Sequence, residues 1–336
     1  MFSDFMEEKI KYHPTLAENV FDEVKKASTR DGFGDALHVL GEKNPNVVVL
    51  SGDLCYSTKA NVFKEKFPDR FFEIGIAEAN MVGIAAGLSN TGKIPFISTF
   101  GVFAAGRVWD QIRMSVCYSN YNVKIAATHC GLFVGGDGTS HQSLEDIALT
   151  RLLPNMKVIV PCDAVEAKKA TLATAEIYGP VFIRLGREKA PIITTEDTPF
   201  KIGNAKIFRE GSDISVVACG SMVYEALIAA HILEKDGIDV RVINNHTVKP
   251  MDEKTIIKAA KDTGVVVTVE EHQTMAGMGS AVAEIVSQEY PVPIKMVGIM
   301  DRFGESGHPD NLKRKFGLTT EDVTRIIRDT FYRKKS

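Results

Sequence analysis

Three groups of side chains have the types and spacing to do chemistry. The first is a single carboxylate, Glu78, in Glu73-Ile-Gly-Ile-Ala-Glu-Ala-Asn-Met-Val-Gly-Ile-Ala-Ala-Gly87, where an apolar strand turns into a helix of small residues. An acid there can face water and complement the helix dipole. Held in an apolar cleft instead, a carboxyl is disfavoured in its charged form and can share a proton with a bound heterocycle. The second group is Thr128-His-Cys-Gly-Leu-Phe-Val-Gly-Gly-Asp-Gly-Thr-Ser-His-Gln-Ser143, which leaves a buried strand for a loop of four glycines, bracketed by His129 and His141. Either histidine alone reads as a satisfied loop or core residue; two of them at the carboxyl edge of a sheet read as an active-site wall. The third group is Ser28-Thr-Arg30, Ser51-Gly-Asp-Leu-Cys-Tyr-Ser57 and Arg184-Leu-Gly-Arg187. Arginine offers a planar fork suited to a phosphate monoester and serine a neutral donor, although taken singly each reads as a surface salt bridge. Phe100 and Phe103, after the strand 94–99, read by the same standard as core.

The elements that must position these residues alternate between strand and helix almost throughout, the signature of α/β architecture with parallel sheets. Strands are expected at Val47–Leu50, Phe71–Ile76, Pro95–Thr99, Val123–Thr128, Lys157–Val160 and Val181–Arg184, with helices at about 29–43, 78–91, 105–119, 143–149 and 163–177. Pro191-Ile-Ile-Thr-Thr-Glu-Asp-Thr-Pro-Phe200 breaks the rhythm and reads as a linker. Beyond it the pattern restarts with strands at Ile214–Ala218, Val240–Ile243, Val265–Val269 and Ile294–Val297. The expected fold is two doubly wound, mostly parallel α/β domains: an extension over 1–20, a first domain over 21–190, a linker over 191–202 and a second domain over 203–336. In such sheets ligands collect outside the carboxyl ends of the strands, where all three groups fall.

Composition narrows the function without naming it. With 336 residues, 44% hydrophobic, 25% charged and a net charge of −3, the chain has the profile of a soluble globular protein with two cores. Basic residues are interleaved with acids, which argues against nucleic-acid binding; the one basic cluster, Arg333-Lys-Lys-Ser336, reads as a solvated tail. The five cysteines lack paired metal-ligand spacing and read as reduced thiols. No apolar run approaches a membrane span and the N-terminus lacks the pattern of a signal peptide, so a cytoplasmic location is expected.

On Gly-Ile-Ala-Glu78-Ala-Asn-Met and Gly-Gly-Asp137-Gly-Thr-Ser-His141-Gln the chain resembles the C-terminal two domains of the transketolase family, from about residue 22 to its end. The resemblance implies a pyrimidine-binding domain followed by the family's small C-terminal domain. It implies that Glu78 hydrogen-bonds a ring nitrogen of the aminopyrimidine of thiamine diphosphate, favouring the imino form that removes the thiazolium proton. Phe103, and with it Phe100, is expected to stack on that ring, although the spacing departs from the family pattern by one residue before Arg113. Asp53 is expected near the thiazolium side. Asp137 is expected on a hydroxyl of the ketose, His141 near the reacting carbonyl, and Arg30, Ser57, His129 and Arg187 on the substrate phosphate. The implied reaction moves a two-carbon ketol unit from a ketose phosphate to an aldose phosphate, as in the pentose phosphate pathway.

Thiamine enzymes hold the diphosphate and its metal through a Gly-Asp-Gly followed downstream by asparagine. Gly136-Asp-Gly138 is followed instead by Lys157-Val-Ile-Val-Pro-Cys-Asp-Ala, so it reads as a substrate loop and no metal is expected on this chain. The expected partner is a separate N-terminal subunit carrying the diphosphate, the divalent cation (Mg2+ or another) and the remaining histidines, with two copies of each chain in a heterotetramer. The nearest rivals are the beta subunit of a 2-oxo acid dehydrogenase and, through Val269-Glu-Glu-His272 and Met278-Gly-Ser280, a deoxyxylulose-phosphate synthase. Against the first stand Arg30, Ser57, Asp137 and Arg187, which suit a phosphorylated polyol. A non-catalytic paralogue would not need to keep Glu78, His129, Asp137 and His141. Glu270, Glu271 and His272 are expected to serve an interface or a structural network.

Overall fold

A computed structural model describes residues 11–335. Its first sheet has seven strands in the spatial order Thr247–Lys249, Lys157–Ile159, Val181–Arg184, Lys124–Thr128, Ile94–Phe100, Val47–Ser51 and Phe71–Glu73, all parallel except the first. Val47–Ser51 and Lys124–Thr128 are buried along their whole length because helices cover both faces, which is why they read as unbroken runs rather than alternations. The second sheet has five strands, Ile294–Ile299, Val266–Gln273, Ile214–Ala218, Val240–Asn244 and Lys206–Arg209, the last antiparallel.

The two halves are interlocked. The short strand Thr247–Lys249 comes from the second half of the chain and pairs with the edge of the first sheet. Val217, Ile243, Ile256 and Met278 share a buried cluster with Leu50, Met81 and Ile97, each large aliphatic contributing about 1.5–3 kcal/mol by leaving water. The stretch read as a linker is pinned rather than loose: Asp163 accepts hydrogen bonds from the backbone amides of Ile193 (2.8 Å) and Thr194 (2.7 Å). Of the expected N-terminal extension, residues 1–10 lie outside the described residues. Residues 11–20 pack on the second sheet, with Tyr12 bridged to Arg209 and Leu16 and Val20 buried.

Four expectations are corrected. The strand expected over Phe71–Ile76 ends at Glu73 and is only partly buried, because it lies at the sheet edge and Gly75 turns the chain with a φ of +82°. The helix expected over 105–119 is not one regular helix. It opens with a π-helical segment, Phe103–Arg107, passes through one α turn at Trp109–Gln111, and widens again over Ile112–Tyr118. The antiparallel strand Lys206–Arg209 was not expected. Finally, the basic terminus is no free tail: the last helix runs to Lys335, and the Lys334 ammonium donates to the carbonyls of Thr263 (2.5 Å) and Asp213 (3.1 Å); Ser336 lies outside the described residues.

Candidate active site

The parallel strands of the first sheet deliver the candidate residues to one edge. Asp53 and Ser57 follow Val47–Ser51, Glu78 follows Phe71–Glu73, Phe100 ends Ile94–Phe100 with Phe103 just beyond, His129 follows Lys124–Thr128, and Arg187 follows Val181–Arg184. Arg30 joins them from the first turn of the helix Thr29–Lys43, whose start is fixed by a capping box between Ser28 and Asp31. Asp53 and His129 leave their strands with positive φ (63° and 57°), tolerated where the fold overdetermines the turn.

Glu78 opens the helix Glu78–Asn90 and is only 3% exposed. The apolar cleft expected around it is not what the structure shows. Arg107 closes over it, Nη1 donating to both carboxylate oxygens at 3.1 and 3.0 Å, and the same guanidinium lies 4.1 Å from the centroid of the Phe103 ring. Sequence reasoning missed Arg107. It comes from the π-helical segment Phe103–Arg107, and its partner Glu78 lies 29 residues away on another element, a pairing that helical spacing does not encode.

From Phe103 the wall continues inward. Phe100 stacks on Phe103 at 5.9 Å and lies 3.8 Å from the His129 ring, while His141 meets both phenylalanines edge-on at 6.1 and 5.6 Å. His129 is buried, with Nδ1 2.9 Å from the hydroxyl of Thr128 and Nε2 3.5 Å from Nη1 of Arg30. Arg30 also donates to the carbonyl of Ser57 at 2.6 Å, and its Nε is buried without a partner among the described residues. Burial first, then the positive charges of Arg30 and Arg187, hold the His129 imidazole down at about 3, so it is neutral near neutral pH. Arg187 donates to the carbonyl of Val134 at 2.5 Å and to Asp137 at 3.4 Å. Asp53 stands apart, exposed, its backbone amide donating to Glu73 at 2.6 Å.

The second half of the chain buttresses this wall. Glu271 accepts from the amide of Phe133 at 2.8 Å and from the Ser221 hydroxyl at 3.2 Å. Glu270 accepts from the amides of Met278 and Gly279, both at 2.7 Å. Arg184, grouped above with the candidate phosphate ligands, is buried against Asp146 at 2.8 Å and donates to the carbonyl of Glu271 at 2.9 Å. It belongs to this network, since Nε is spent on Asp146 and Nη2 on the carbonyls of Ser143 and Glu271. Burial pushes Glu270 and Glu271 up to about 7 and His272 down to about 4. The loop tip is clamped as well, Thr139 donating to the carbonyl of Gly304 at 2.5 Å and Gln142 to that of Glu305 at 3.0 Å.

Comparison with known proteins bears on what this wall serves. Residues 25–192 match the model of the transketolase pyrimidine-binding domain and residues 203–323 that of the transketolase C-terminal domain. The chain belongs to the transketolase family. A putative transketolase C-terminal section from Methanocaldococcus jannaschii is 46% identical over 301 residues, 89% of this chain and 94% of that protein. A 6-deoxy-6-sulfo-D-fructose transketolase subunit from Clostridium sp. is 41% identical over 305 residues, 91% of this chain and 95% of that protein. Among solved structures, a split gene transketolase described as an inactive beta4 tetramer superposes with a TM-score of 0.85 at 50% identity, covering 91% of this chain and 98% of its own. The chain is thus a C-terminal section of a transketolase, of the mixed α/β fold with mostly parallel sheets that such relatives share.

Transketolases depend on thiamine diphosphate. The residues here fit its aminopyrimidine end: a buried carboxyl beside an aromatic face, both already satisfied by a planar nitrogen-rich group. Among the described residues no group of three or more His, Cys, Asp or Glu side chains is arranged to hold a metal ion, and no helix is long and apolar enough to cross a membrane.

Proposed function

We propose that this chain is the C-terminal subunit of a split transketolase, which transfers a two-carbon ketol unit from a ketose phosphate to an aldose phosphate. The observation that carries this is the placement of buried Glu78 beside Phe103 at one end of a wall whose other end holds Arg30, His129 and Arg187. One end suits a heterocycle and the other an oxyanion. Thiamine diphosphate, when bound, supplies the nucleophilic carbon that no side chain of this chain provides.

In this reading Glu78 would hydrogen-bond a ring nitrogen of the aminopyrimidine, and Phe103 and Phe100 would hold the ring by stacking. Arg30, Arg187, His129 and Ser57 grip the terminal phosphate, and that remote grip turns binding energy into positioning at the reacting carbon. His129, being neutral, contributes hydrogen bonds and no charge. His141 hydrogen-bonds the substrate near the carbonyl, Asp137 takes a hydroxyl, and Asp53 lies toward the thiazolium side.

The diphosphate and a divalent cation are assigned to a separate N-terminal subunit, with two copies of each chain forming two sites. Support comes from the near-complete overlap with a C-terminal section and with a split-gene structure. The test is ketol transfer with thiamine diphosphate and magnesium, using this chain alone, the candidate partner alone and the two mixed. Activity is expected only in the mixture. Full activity of this chain by itself contradicts the division of labour, and an inactive mixture contradicts the assigned reaction.

A further inference from the structure

One side chain at the site has no part in the reading above. Arg107 touches both surfaces that an aminopyrimidine needs, the Glu78 carboxylate and the Phe103 ring. A guanidinium is planar, conjugated and edged with N–H donors, and it stacks on aromatic faces while donating to a carboxylate. An aminopyrimidine shares that character along its N–C–N edge. We infer that Arg107 is a built-in stand-in for the pyrimidine, filling the Glu78–Phe103 slot until the cofactor displaces it. This rests on the reading of Glu78 and Phe103 as the pyrimidine site.

Geometry supports displacement over a fixed role. The Glu78 side chain is 4% exposed, so its carboxylate cannot turn to solvent and needs some partner in the slot. The Arg107 side chain is 50% exposed and reaches in from the surface, so it can swing back into water without disturbing the core. It springs from the π-helical segment Phe103–Arg107, next to the exposed Gly106. The arrangement keeps a buried acid satisfied in a subunit not yet joined to its partner, and makes cofactor entry a competition with an internal group.

The test is binding, not turnover. The isolated full chain is titrated with 4-amino-5-hydroxymethyl-2-methylpyrimidine by calorimetry and by the fluorescence of its single tryptophan, Trp109, two residues from Arg107. Arg107→Met, which keeps the apolar stem, is expected to bind at least about tenfold tighter than the wild type, ~1.4 kcal/mol. The gain is expected to vanish in Glu78→Gln/Arg107→Met. Equal or weaker binding by a folded Arg107→Met chain overturns the inference. Should that variant not fold, the wild-type chain decides: the side-chain 15N resonance of Arg107 shifts on saturation with the pyrimidine, and an unmoved resonance overturns the inference. Thiamine diphosphate binding by the wild-type chain mixed with its partner is measured in parallel. No binding there removes the underlying reading, whereas binding there with no gain in Arg107→Met overturns this inference alone.

Discussion

Arg30 and His129 fix each other's chemistry. Nη1 of Arg30 lies 3.5 Å from Nε2 of His129, and a guanidinium can only donate, so in the unliganded chain Nε2 is the bare nitrogen and Nδ1 carries the proton toward the Thr128 hydroxyl at 2.9 Å; gripping an oxyanion requires the proton to move to Nε2. The expected NMR result is a neutral Nδ1–H tautomer whose ring signals do not titrate between about pH 5 and 8, since the folded value is held at about 3. A titration midpoint near 6.5 contradicts this. The sign for stability follows: the unfolded chain binds a proton below about 6.5 and the folded chain does not until about 3. The residue therefore costs stability progressively as pH falls through that window, and His129→Asn is expected to lose part of the acid sensitivity.

If Arg30 and Arg187 grip an oxyanion at the far end of the substrate, removing either acts on phosphorylated substrates and spares those without the anion. Arg30→Ala and Arg187→Ala are each expected to lower kcat/KM for a ketose phosphate by roughly 10–100-fold, the loss of a charge-assisted hydrogen bond of about 1.5–3 kcal/mol. Steady-state assays with phosphorylated and unphosphorylated donors in the assembled complex check this.

Much of the fold was legible because the buried parallel strands are nearly unbroken aliphatic runs. Val47-Val-Val-Leu50 and Ile214-Ser-Val-Val-Ala218 announce themselves, and the helix over Thr29–Lys43 was expected with the bounds it has. What escaped had physical reasons. Lys206-Ile-Phe-Arg209 is an edge strand bounded by charge, too short to show a period. The Phe71 strand reads too long in the sequence because apolar Ile74 and Ile76 flank the glycine that turns the chain. Glu78 and its motif could be placed from sequence; Arg107 could not, because its partner Glu78 lies 29 residues away on another element. The network of Arg184, Asp146 and Glu271 joins residues far apart in sequence, and the docking of the two halves adds Glu271 to the Arg184–Asp146 pair.

That network makes a stability prediction. Arg184 and Asp146 pair at 2.8 Å with both side chains almost wholly buried, so Asp146→Ala leaves a guanidinium in the interior without its counter-charge. A loss of about 3–5 kcal/mol is expected, read as a large drop in Tm or in the urea midpoint. A change within experimental scatter contradicts the pairing.

Glu271 gives the opposite pH signature from His129. Burial raises its folded value to about 7 from 4.5, so the folded chain holds the proton through a window in which the unfolded chain releases it. The stabilising contribution is full below about 4.5 and lost as pH rises through about 7. Thermal unfolding of the wild type and Glu271→Gln at several pH values is expected to show the wild type losing ground relative to the variant across that window. A pH-independent difference contradicts it.

The central claim is that Glu78 acts on a cofactor whose other end is held by a different polypeptide. Its most direct test is ketol transfer by the reconstituted two-subunit complex carrying Glu78→Gln, with the mass of the complex measured by analytical ultracentrifugation. The account predicts an assembly of unchanged mass whose kcat falls by about 10²–10⁴-fold, the range for a lost acid–base group. An assembled Glu78→Gln complex that turns over at the wild-type rate contradicts it.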